Sequence, residues 1–158
     1  MILRPATPPD APAIAVILRT CFRVSLPFLP ELHTAEQDLA YVSGRLMAED
    51  AVWVAETEGA VVGYVAFRDD WIDHLYIHPD RQGQGIGALL LAKALEDGRA
   101  KQLWAFQQNT RARRFYEARG FRAVEFTDGQ GNQEKTPDVR YLGPMTPSGL
   151  ETAALRRT

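Results

Sequence analysis

Glycines at three alternate positions, Gly83, Gly85 and Gly87, stand between a run of strand character, Trp71 to His78, and an apolar helical run, Gly85 to Leu95. No other feature of the chain restricts its folding as much. Glycine at a strand-to-helix junction lets the backbone approach a ligand closely, and the free N–H groups of a helix start attract anions. Arg81 adds a positive charge just ahead of the glycines. The junction therefore predicts a phosphate-bearing ligand. Two common phosphate loops are excluded by spacing. A Walker loop needs Lys and then Ser or Thr after its last glycine, where Ala88 and Leu89 stand. A dinucleotide fingerprint follows the first strand of a βαβ unit and has its third glycine one residue later; here the strand is the fourth.

The chain of 158 residues suits one domain. With 46% hydrophobic and 24% charged residues it reads as globular rather than disordered. Eighteen basic against twenty acidic side chains, a net charge of −2, argue against a nucleic-acid partner. Cys21 is the single cysteine, so no intrachain disulfide can form and no Cys-rich zinc site exists; no metal is expected. The N-terminus lacks a signal-peptide pattern, and no run approaches the ~20 apolar residues of a membrane span. A soluble cytoplasmic protein without a membrane partner is the expectation.

Ile2 to Ala6 reads as a strand, with Asp10 as N-cap of a helix from Ala11 to Phe22 carrying Ile14, Ile17, Leu18 and Cys21 at helical spacing. Thr34 and Gln37 resemble a capping box opening a helix to Leu46. Ala51 to Glu56 and Val61 to Arg68 form a hairpin around Thr57 to Ala60. After the strand Trp71 to His78 and the helix Gly85 to Leu95 come a strand Lys101 to Gln107 and a helix Thr110 to Arg119 stopped by Gly120. Strands Phe121 to Phe126 and Val139 to Leu142 close the list, separated by a long loop, Asp128 to Asp138. This order predicts one α/β (α+β) domain with a mixed sheet flanked by helices, over residues 1–143, and a weakly patterned tail, 144–158.

Gln82-Gly83-Gln84-Gly85-Ile86-Gly87 resembles the pyrophosphate loop, Gln/Arg-x-x-Gly-x-Gly/Ala, of the GCN5-related N-acetyltransferase (GNAT) superfamily. Leu75-Tyr76-Ile77-His78-Pro79 before it, and Asn109 with Arg113-Arg114-Phe115-Tyr116-Glu117-Ala118-Arg119-Gly120-Phe121 after it, resemble the same family at the family's separation. The resemblance implies a mostly antiparallel sheet whose fourth and fifth strands splay apart, with acetyl-CoA as co-substrate. It implies that the strand of Leu75 and Ile77 pairs with the pantetheine amides, and that backbone N–H groups from Gln82 to Gly87 hold the pyrophosphate. Asn109 would bond the pantetheine arm. Arg111, Arg113 and Arg114 crowd a helix start, where each cation costs ~0.3–1 kcal/mol. A nucleotide 3′-phosphate near Arg113 would offset that; a solvated basic face is the other reading.

The implied reaction is attack of a neutral amine on the acetyl thioester through a tetrahedral oxyanion, stabilised by a backbone N–H near Leu75 to Ile77. Tyr116 resembles the family's acid for the departing thiolate, with a core aromatic as the alternative. Asp73 stands where the family places a base and would work through a water, with a structural or substrate-orienting role as the other reading. Glu56 is a further base candidate. His74, on the opposite strand face from Asp73, reads as a packing histidine, His78 as structural and Cys21 as core. His33 and Leu26 to Pro30 lie where the family walls its acceptor pocket, and the loop Gly129 to Asp138 would face that pocket from the other side. Asp69, Asp70 and Asp73 suit a cationic acceptor, whether a small molecule or a peptide amine. Relatives of this kind frequently form homodimers. The alternative function is a non-catalytic acyl-CoA sensor or interaction module of the same fold.

Overall fold

The structure, a computed structural model, describes residues 1–145, so nearly all of the expected tail lies outside the described residues. The chain divides into two units, Met1–Gly98 and a second that begins at Arg99. The seven strands and flanking helices make the mixed, mostly antiparallel α/β architecture that the element order implies.

The first unit contains β1 (Ile2–Pro5), α1 (Ala11–Ser25), α2 (Ala35–Tyr41), α3 (Met47–Glu49), β2 (Ala51–Thr57), β3 (Ala60–Arg68), β4 (Trp71–Ile77) and α4 (Ile86–Ala94). Its strands pair antiparallel in the order β1-β2-β3-β4. The apolar stripe of α1, Ile14, Ile17, Leu18 and Cys21, is buried with Val54, Tyr64 and Ala66 of the sheet. Burial of each large aliphatic side chain contributes about 1.5–3 kcal/mol. The helix runs past Phe22 to Ser25 and stops where Pro27 bars Leu26 from helical backbone.

Asp10 precedes α1 as expected, yet its carboxylate makes no capping bond to that helix. It takes the Arg4 guanidinium at 2.7 and 2.9 Å and the Thr7 N–H at 2.8 Å, and Arg4 holds it well below the usual carboxylate range. The Thr34 capping box is present, with Gln37 N–H donating to Thr34 Oγ1 at 3.1 Å and Gln37 Oε1 accepting from Thr34 N–H at 2.9 Å. The helix expected to Leu46 is present and runs on to Glu49, widening into a π turn over Val42–Leu46 between α2 and α3. That turn places both Val42 and Leu46 in the core.

The β2–β3 hairpin turns on Glu58 and Gly59, both at positive φ (53° and 78°), a primed turn that matches strand twist. On the opposite face from α1, Ile86, Leu90 and Leu91 of α4 are buried. A Cβ on Gly63 of β3 would stand 2.6 Å from Ile77 Cδ1 and 3.4 Å from Leu90 Cδ1, so only glycine admits this close packing.

The second unit contains β5 (Lys101–Phe106), α5 (Thr110–Glu117), β6 (Arg122–Thr127) and β7 (Asp138–Gly143), paired antiparallel as β5-β7-β6. Gly120, at φ 88°, ends the turn after α5 as expected. The loop 128–137 is tied to itself. Asn132 Nδ2 donates to Thr136 O at 2.7 Å and to Asp138 Oδ2 at 3.1 Å. No helix among the described residues is long and apolar enough to cross a membrane.

Candidate active site

The chain leaves β4 through a turn held at one carbonyl. Ile77 O accepts Gln82 Nε2 at 3.0 Å and the buried Cys21 thiol at 3.1 Å. A 3₁₀ turn, Pro79–Arg81, follows, capped by His78 Nδ1 accepting from Asp80 N–H at 3.1 Å. Gly83 and Gly85 then take left-handed backbone, φ 79° and 82°, a conformation costing roughly 1–2 kcal/mol for other L-residues. Gly85 is the N-cap of α4 and offers no capping side chain, so the first N–H groups of the helix are left without a side-chain partner. A Cβ built on Gly85 meets nothing within 4 Å. The geometry is an anion cradle, and its residues fit a pyrophosphate.

At the far end of β4 the pairing slips by one residue. Ala66 faces His74 and Phe67 faces Ile72, which leaves Asp73 as the extra residue of a β-bulge. Bulges re-aim side chains and recur beside active sites. Arg68 Nε at the end of β3 donates to Asp73 Oδ2 at 2.9 Å and lies 3.6 Å from Asp50 Oδ1. Asp50 immediately precedes β2, and its side chain is 3% exposed. Burial, together with the neighbouring Asp73 carboxyl, pushes the Asp50 carboxyl up to about 7.

In the second unit, Asn109 caps α5, its Oδ1 accepting from Ala112 N–H at 3.2 Å. Arg113 Nε donates to Tyr141 Oη at 2.9 Å, and its Nη1 donates to Gln107 O at 3.3 Å. Tyr116 packs edge-on to Phe115 (5.2 Å) and Phe121 (5.4 Å). Its hydroxyl makes no hydrogen bond among the described residues, and burial alone raises it above the ordinary phenol range, so it remains protonated.

The acetyltransferase (GNAT) domain family matches residues 48–123, a stretch that holds β2 to β4, the glycine turn and α5. An uncharacterised N-acetyltransferase of Archaeoglobus fulgidus is 37% identical over 101 residues, covering 54% of this chain and 68% of that protein. The chain belongs to the GNAT family of acyltransferases. The peptidyl-lysine N-acetyltransferase YjaB of Salmonella typhimurium is 34% identical over 98 residues, 61% of this chain and 66% of that GNAT protein. The structure of the acetyltransferase yncA from Salmonella typhimurium with its cofactor acetyl-CoA superposes at a TM-score of 0.69 and 22% identity. The superposition covers 90% of this chain and 91% of that one, and it shows a shared fold. The chain spans as little as 43% of the length of other curated relatives it matches.

Several residues that drew attention for a GNAT reaction have other duties. Glu56 accepts Arg4 Nε at 2.9 Å and lies near the end of β2, away from Asp50 at its start, so it serves the Arg4 network. His74 sits between Tyr41 and Tyr64. Its Nε2 is 3.1 Å from one hydroxyl and its Nδ1 2.9 Å from the other, and burial lowers it to about 4. It is a neutral packing histidine. Burial pushes the Cys21 thiol up to about 12, which leaves it inert as a nucleophile. His33 lines an open depression of about 510 Å³ with Arg19, Glu31 and Thr34. Asp50 was invisible to sequence reasoning. It lies in no motif, and only the fold shows that it is buried beside Asp73.

Proposed function

We propose that the protein is an acetyl-CoA-dependent N-acetyltransferase that acetylates a primary amine, residues 1–143 working as one acetyltransferase domain. The turn into α4 carries this reading, with two left-handed glycines and an uncapped helix start in a chain of the GNAT family. Backbone N–H groups from Gln82, Gly83, Gln84, Gly85, Ile86 and Gly87 take the pyrophosphate. Leu75 and Ile77 offer main-chain groups to the pantetheine. Asn109 spends Oδ1 on its helix cap and keeps Nδ2 for a pantetheine carbonyl. Arg113 has two of its donors bonded, and the rest suit an anion such as the 3′-phosphate.

Acetyl-CoA supplies an activated thioester. The acceptor ammonium gives a proton toward Asp73 through a water, and the neutral nitrogen attacks the thioester carbonyl. As the C–N bond forms, the carbonyl electron pair moves to oxygen, where a β4 N–H near Leu75 to Ile77 meets it. Collapse breaks the C–S bond. Tyr116 donates to the leaving sulfur while the proton shed by nitrogen replaces the one on its oxygen. The products are an amide and the free thiol. The carboxylates Asp69, Asp70 and Asp73 support a cationic acceptor, and the name of the peptidyl-lysine relative is in keeping with one.

Calorimetry with acetyl-CoA, followed by thiol release against amino acids, polyamines and lysine peptides, tests the reading. Binding with release from at least one amine is expected. Binding with no release from any amine makes the protein an acyl-CoA sensor, and absence of binding overturns both.

A further inference from the structure

Asp50 is the charged side chain of the first unit whose burial its surroundings explain least. Its Oδ2 is enclosed and makes no hydrogen bond among the described residues, an arrangement that costs on the order of a hydrogen bond or more when a carboxylate is ionised. Its Oδ1 lies 3.6 Å from Arg68 Nε, beyond hydrogen-bond length. Arg68 spends its Nε on Asp73 instead. Two carboxyl groups thus converge on one half-exposed guanidinium, and like charges so placed favour retention of one proton between them. The groups that face the pair come from each neighbouring segment: Arg68 from β3, the neutral His74 from β4, Glu49 from α3 and Tyr41 from α2. Only Arg68 among them is cationic, and Glu49 is itself paired with Arg45 at 3.5 Å.

We propose that Asp50 and Asp73 form a one-proton carboxyl pair, in which Asp73 meets the proton leaving the acceptor amine and Asp50, beneath it, keeps that proton. Asp50 is a positioning residue, acting through Asp73. This rests on the role given to Asp73 above and amends it. An aspartate hydrogen-bonded to arginine is a poor terminal base, whereas a buried partner adds a proton site matched to neutral pH. The proton balance is simple. The ammonium becomes an amine, the doubly ionised pair becomes singly protonated, and the proton returns to water after the thiol departs.

The test uses the full chain in two measurements. The first is carbon-detected NMR titration of the aspartate carboxyls from about pH 5 to about pH 9. One carboxyl resonance is expected to titrate near neutrality in the wild type and to vanish in Asp50→Asn; if every aspartate titrates in the ordinary acidic range, the pair does not exist. The second is the pH profile of kcat/KM for amine acetylation. Asp50→Asn is expected to lose roughly tenfold at neutral pH and to displace the acidic limb, with partial rescue by Asp50→Glu. An unchanged profile beside a confirmed titration would remove the role and leave the shared proton structural. If acetyl-CoA binds but no amine is acetylated while the titration persists, the transferase reading and the proton-acceptor role fall together, and the pair itself stands.

Discussion

Arg68 Nε donates a 2.9 Å hydrogen bond to Oδ2 of Asp73 and ties the end of β3 to the bulge in β4. Half of the arginine side chain is exposed, so solvent screens the ion pair and by itself it adds little stability. Its larger effect is on its neighbour. The same guanidinium works against the burial that raises Asp50, and so sets how far that carboxyl rises.

Asp50 binds its proton more tightly in the folded chain than in the unfolded one. The stability it contributes is therefore complete below about pH 4 and is lost as pH climbs through about 7. Asp50→Asn, a neutral isostere, is expected to flatten the pH dependence over this range. It is expected to exceed the wild type at alkaline pH by on the order of 1–2 kcal/mol. Urea unfolding at stepped pH measures both.

Tyr116→Phe removes a hydroxyl that bonds nothing among the described residues, so the melting temperature is expected to stay unchanged. Turnover is expected to fall roughly 100-fold, with acetyl-CoA affinity within about twofold of the wild type. Steady-state kinetics beside calorimetry give the two numbers, and equal turnover would remove the acid role.

Gly85→Ala places a Cβ in open space but forces alanine to φ 82°. The backbone either keeps that conformation, at a cost of about 1–2 kcal/mol in stability, or relaxes and withdraws N–H groups from the cradle. Acetyl-CoA affinity is expected to drop roughly tenfold in the second case. Thermal unfolding and calorimetry on the same sample separate them.

Asp10→Ala removes two bonds to Arg4 and two to Thr7, and is expected to cost about 1–3 kcal/mol. Because Arg4 lowers the Asp10 carboxyl, the stability it contributes is present above about pH 4 and is lost as pH falls. Acid titration of the wild type should show that loss, and the variant should lack it.

Local chemistry made most of the elements legible. Thr34 and Gln37 predict a cap because their side chains reach only each other's backbone, and the structure forms it. Gly83 and Gly85 predict a turn into a helix, and both adopt left-handed backbone. The helix expected to reach Leu46 does so, but its π turn over Val42–Leu46 is not legible, because helical spacing cannot distinguish a continuous α-helix from one widened by such a turn. Asp10 carries a capping residue's identity, but Arg4, six residues earlier, offers its carboxylate a stronger partner.

The order of residues alone determined where strands and helices run and where the glycine turn enters α4, because periodicity, glycine backbone freedom and caps act over a few neighbouring positions. The tertiary structure decided which ionisable groups are perturbed. Asp50 and Asp73 lie far apart in the chain and meet only when β2, β3 and β4 pair, and the bulge that shifts Asp73 depends on that register. Burial and proximity control proton affinity, and neither is a property of the chain until it folds.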